Sequence, residues 1–163
     1  MKFRNSAAGL ALAVVAVLGL AGPVAAGDQM PFHGRLEGDV TNIPLDPPFA
    51  SVLVEGTGQA AHLGRFTFEF PHVVDRSDST GVGTLTFTAA NGDTLTADLT
   101  GQGMPTGTPG FLFIVSTATI TGGTGRFAGA TGSFVVERLY DIVGGTTIGT
   151  FDGTISSPGA RNR

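Results

Sequence analysis

The chain has 163 residues, a formal charge of −4, thirteen carboxylates and no cysteine. Without cysteine there are no disulfides and no lipid-modified cysteine, so stability has to come from packing. With one lysine and scattered arginines, the chain lacks the clustered cations that neutralise nucleic-acid phosphates or an anionic membrane surface.

In chain order, Lys2 and Arg4 precede an apolar run from Ala7 to Leu20, followed by Gly22-Pro23 and the small residues Val24-Ala25-Ala26. This order of charged, apolar and small segments predicts a secretory signal peptide over 1–26, cleaved after Ala26. The apolar run is about fourteen residues, shorter than the roughly twenty of a membrane-spanning helix. The expected product is therefore secreted or periplasmic, with no stable membrane insertion. Cleavage would remove the only lysine and Arg4, leaving seven arginines against thirteen carboxylates in 137 residues. That length suits one domain, over 27–157, with 158–163 as a flexible tail.

The remainder reads as strand, since no window holds a helical apolar period for more than a turn or two. Phe32 to Val40 alternates apolar or glycine positions with His33, Arg35, Glu37 and Asp39, one polar face on one strand. Ile43 to Pro48, with three prolines, is a connection. Phe49 to Ala61 is a second strand with a bulge or bend expected at Gly56 and Gly58. Gly64 to Val73 is a third, with Phe66, Phe68 and Phe70 on one face. Thr84 to Thr88 and Thr94 to Leu99 alternate strictly around Ala90-Asn91-Gly92-Asp93, where Asn-Gly suits the positive dihedrals of a tight hairpin. A Gly/Pro/Thr loop, Gly101 to Gly110, leads to a sixth strand, Phe111 to Thr121, apolar on both faces at its start and expected to be buried on both. Gly132 to Tyr140 and Thr146 to Ser156 complete eight strands.

Eight short strands with little helix fit a closed antiparallel β-barrel or a two-sheet sandwich. Closure is favoured, because it removes sheet edges from strands carrying few edge-protecting charges. The segment TGGTGRFAGATGSF, Thr121 to Phe134, supports this. It resembles the GGTG(K/R)F-x-GA-x-G signature of dirigent proteins and the allene oxide cyclase-like barrel superfamily, and the resemblance implies an eight-stranded antiparallel barrel. Segments His62 to Thr67, Asn91 to Leu95 and Gly123 to Phe134 also resemble small secreted bacterial proteins. The shared motif is structural: Gly122, Gly123, Gly125, Gly129 and Gly132 permit tight reversals, and Phe127 is expected to plug the barrel end on a one-turn excursion. A phosphate cradle would need a following helix and usually a lysine, and here a strand follows.

His33, His62 and His72 show no short metal-ligand spacing, so no metal site is indicated. No cofactor motif is present, and nothing specifies an oligomeric state. GxSxG is absent, and carboxylate pairs such as Glu37 with Glu55, or Glu69 with Glu137, read as solvated strand residues. His62 stands at a strand junction near Glu55 and Glu69 in sequence. On the seventh strand Phe134, Val136, Arg138 and Tyr140 share one face and Val135, Glu137 and Leu139 the other, so either orientation turns a charge inward. The candidate ligand site is Arg138, Tyr140 and His62 for a polar head group, with Phe66, Phe68 and Phe113 lining an apolar depth. The competing expectation pairs Arg138 with Glu69 or Glu55.

The function expected from these features is non-catalytic binding of a small apolar ligand or a protein partner, with no nucleic acid involved. The resemblance implies an alternative, a cofactor-free cyclase, isomerase or dirigent-type enzyme whose cavity shapes a reactive intermediate. Threonine rows such as Thr84, Thr86 and Thr88 suggest a surface-active protein, but they lack a fixed period. An outer-membrane barrel fits poorly with no tryptophan and Tyr140 as the only tyrosine.

Overall fold

A computed structural model describes residues 28–156. The expected signal peptide, its cleavage point after Ala26 and the expected tail lie outside the described residues. Eight strands follow in order: β1 (Met30–Pro44), β2 (Phe49–Ala60), β3 (Gly64–Asp75), β4 (Thr80–Ala89), β5 (Thr94–Pro105), β6 (Phe111–Gly123), β7 (Thr131–Asp141) and β8 (Thr146–Ser156). One turn of 3-10 helix, Gly125–Phe127, joins β6 to β7. Each strand pairs antiparallel with the next, and β1 pairs with β8 to close the barrel. The sandwich alternative is thereby excluded.

Pairing carries several strands past their sequence boundaries. β1 runs into the proline-rich connection as far as Pro44, and β5 continues to Pro105 through residues expected to be loop. No bulge forms at Gly56 or Gly58, for β2 keeps one register against both neighbours. These glycines instead allow close approach: a Cβ on Gly56 would lie 2.6 Å from the Gly38 Cα, and one on Gly58 would enter the Phe66 ring. The register shift lies between β5 and β6 at Thr96/Ala97. The Asn-Gly hairpin is a four-residue loop in which Gly92 alone takes a positive φ, of 88°. Ala89 N–H donates to the Asp93 carbonyl across it.

The start of β6 is not buried on both faces. Phe113 is 36% exposed, because the barrel wall is a single sheet whose outward positions meet solvent. Phe113 lies in an outer cross-strand row with Met104, Leu139 and Ile148. Thr84, Thr86 and Thr88 of β4 also face outward.

The two ends of the barrel differ. At the end formed by the β2–β3, β4–β5 and β6–β7 connections, Phe32, Phe66, Phe87, Phe134 and Phe151 fill the interior in tilted and edge-to-face contacts, with neighbouring centroids 4.9–6.3 Å apart. Small residues on β1 and β8 make room for the rings. A Cβ on Gly34 would lie 2.6 Å from Phe151 Cζ, and one on Gly153 would lie 2.6 Å from Phe134 Cβ.

The glycine-rich segment caps this end. Phe127, 1% exposed, seats on the core, while Gly125 and Gly129 take φ of 56° and 70°. Thr124 N–H donates to the Thr94 carbonyl at 2.9 Å, and the Thr124 hydroxyl accepts from Thr94 N–H. Arg126 donates to the Leu63 carbonyl at 3.0 Å and pairs with Asp93 at 3.6 Å, so its charge serves the cap. The segment leads directly into β7.

Candidate functional site

At the opposite end the barrel opens into a cavity of about 500 Å³. Its cause is a gradient of side-chain size along the inward faces. β4 runs from Phe87 and Leu85 to Gly83 and Gly81, and β5 runs from Leu95, Ala97 and Leu99 to Gly101 and Gly103. On these two strands bulk fills one half of the barrel and is missing from the other. Val40, Val52, Val54, Val74, Leu112 and Ile114 give the cavity apolar walls.

β7 turns Phe134, Val136, Arg138 and Tyr140 inward and Glu137 outward. Arg138 lines the cavity one inward position deeper than Tyr140 and is 6% exposed. The pairing with Glu69 or Glu55 does not form: both carboxylates are exposed on the outer wall, directly opposite each other across β2 and β3. The salt bridge among the described residues is the distant Arg126–Asp93 pair. Arg138 instead lies over the Phe70 ring, its Cζ 5.6 Å from the centroid. Burial pushes its pKa down to about 10, which leaves it charged at neutral pH.

His72, on the same inward face of β3 as Phe70, stacks on that ring at 4.1 Å and an interplanar angle of 12°. Its Nδ1 lies 3.0 Å from the Phe70 carbonyl. A carbonyl only accepts, so Nδ1 carries the proton and Nε2 keeps its lone pair. Burial is the main cause that lowers the His72 pKa to about 4; the bond to Phe70 opposes it and the Arg138 charge adds to it. Nearer the mouth, Asn42 Nδ2 donates to the Tyr140 hydroxyl at 2.9 Å, and Arg76 lies at the rim.

The structure thus brings together only part of the candidate set. Arg138 and Tyr140 share the cavity. His62 does not: it sits exposed in the β2–β3 turn at the closed end, with φ of 63°. Phe66 and Phe68 are buried and inward but belong to the packed half, outside the cavity lining. Phe113 lies on the outer wall, since the alternation of β6 turns Ile114 and Ser116 inward. His33 faces outward on β1, so the three histidines lie apart. Sequence reasoning missed His72 and Phe70 as site residues, although the alternation of Phe66, Phe68 and Phe70 continues to His72. An outer groove of about 930 Å³ runs past His33, Arg35 and Asp152, outside the barrel interior.

A closed eight-stranded barrel with one end packed by aromatics and the other open to an apolar, cationic cavity is the class of protein these features define. Its fold is similar to that of two solved dirigent proteins. The structure of the pterocarpan synthase dirigent protein GePTS1 matches with a TM-score of 0.55 at 16% identity, covering 88% of this chain and 99% of that one. That of the pterocarpan synthase dirigent protein PsPTS1 matches with a TM-score of 0.56 at 12% identity, covering 79% and 95%. At such identities the likeness is one of fold. No family model and no curated protein matches the sequence.

Proposed function

We propose that the chain is an exported binding protein that takes one small, largely apolar molecule into the open half of its barrel. The observation that carries this reading is the 500 Å³ cavity with valine and isoleucine walls and a buried arginine beneath its mouth. A few polar groups in a mostly apolar hollow orient a ligand while burial supplies affinity. The charged, apolar and small-residue order of the sequence over 1–26 supports export. Native mass spectrometry of protein purified from its own source tests the proposal, with a retained small molecule as the expected result. Gly103→Leu is the blocking variant. Gly103 lines the cavity, and a Cβ there meets Ser79 Cβ and the Ser79 carbonyl oxygen at an ordinary 3.6 Å. Retention of the same molecule by this variant would place binding elsewhere.

A second reading, a cofactor-free isomerase or cyclase, is favoured by one specific observation. His72, whose Nε2 keeps its lone pair, lines the cavity together with the Arg138 cation, a base and a group able to stabilise a developing oxyanion. Incubating the retained molecule with fresh protein separates the two readings. Conversion to a product of equal mass, lost in His72→Gln, marks catalysis, whereas unchanged ligand marks binding.

A further inference from the structure

The charges that face the cavity are of one sign. The ionisable side chains in its lining are His72, Arg76, Arg138 and Tyr140, and no aspartate or glutamate is among them, in a chain with thirteen carboxylates. The strands that form it do carry acids, among them Asp39 on β1, Glu55 on β2, Glu69 and Asp75 on β3, Asp98 on β5 and Glu137 and Asp141 on β7, but none of these lines the cavity.

Arg138 is therefore a buried cation whose guanidinium meets an aromatic face and open cavity space, with no carboxylate counter-ion from the described residues. A buried charge is tolerable when it is paired, and the position left for a partner is the cavity itself. The other polar groups in the lining suit the same partner. Tyr140 receives the Asn42 amide proton on its oxygen, which leaves its own O–H free to donate. Ser116, 2% exposed, adds a hydroxyl to the lining, and Arg76 places a second positive charge at the rim.

Building on the binding function proposed above, we infer that the ligand is an amphipathic anion, an apolar body bearing one carboxylate- or sulfonate-type group that seats on Arg138. The body lies among Val40, Val52, Val54 and Ile114, and the acidic group takes the guanidinium donors that the fold leaves without a carboxylate. A neutral molecule of the same shape fills the same space but leaves the cation uncompensated.

The test uses two fluorescent probes that differ by one charged group, anilinonaphthalene sulfonate and its neutral parent phenylnaphthylamine. The purified barrel is expected to bind the sulfonate about tenfold more tightly than the parent at low salt, the scale of one charge-assisted contact. Arg138→Met should bring the two affinities together, and Gly103→Leu should abolish binding of both. Equal or tighter binding of the neutral dye by the wild-type protein would overturn the inference, and that comparison holds even if Arg138→Met does not fold. Binding of the neutral dye without a charge preference would leave the binding function standing and refute the anion. If neither dye binds the wild-type barrel, the binding function itself fails. Sulfonate binding that survives Gly103→Leu would locate the dye on the outer wall and also refute the proposal.

Discussion

Acidification should destabilise this barrel through His72. With a pKa of about 4 in the fold against an ordinary 6.5, the ring is taken up neutral, and the unfolded chain binds a proton that the native state refuses. The groups that face it in the cavity, Arg76, Arg138 and Tyr140, offer no negative charge to reverse this. The contribution is fully present above pH 6.5 and is lost as pH falls from there through about 4. A shift of this size corresponds to roughly 3 kcal/mol in full, of which about 2 kcal/mol is lost between pH 7 and pH 4.5. Urea unfolding of wild type and His72→Gln at both pH values isolates the effect, since the glutamine amide can donate to the Phe70 carbonyl and the remaining titratable groups are common to both proteins. Wild type is expected to lose about 2 kcal/mol more than the variant on acidification. Equal losses, or a His72 NMR titration centred near 6.5, would refute the reasoning.

Two further expectations concern the packed half. Phe127→Ala should cost about 3–5 kcal/mol in chemical denaturation, because it removes a buried ring from the cap and the surrounding backbone turn is too constrained to collapse into the gap. Gly34→Val should destabilise by at least about 1–3 kcal/mol, for even its Cβ would lie 2.6 Å from both Ala60 Cβ and Phe151 Cζ. A thermal melt unchanged from wild type would show that the rings shift to admit it.

Much of this architecture was legible from local pattern. Period-two alternation located eight strands because a single-walled barrel gives every strand one wet face and one dry face. The glycine-rich segment announced its own turn, since Gly125 and Gly129 take dihedrals that other residues resist, and Phe127 was the apolar residue available to bury. Glycine also misled. Gly101 and Gly103 read as loop, yet they are inward positions of β5, and their missing side chains make the cavity. Local sequence does not separate a glycine that breaks a strand from one that hollows a barrel, because the difference lies in the partner strand. His62 drew attention through Glu55 and Glu69, its neighbours in sequence, but lies in the β2–β3 turn away from the cavity, whereas His72 was one alternation beyond Phe70.

The sequence by itself determined the strand periodicity, the capping turn and the fact that β7 must turn a charge inward. Only the tertiary structure decided which face of β7 is inward, and hence that Arg138 rather than Glu137 enters the cavity. The physical reason is closure. Alternation defines two faces for each strand, but inside and outside exist only when β8 meets β1, and that pairing also brings Phe32 against Phe151 in the packed half, while Gly101, Gly103 and Arg138 line the open one.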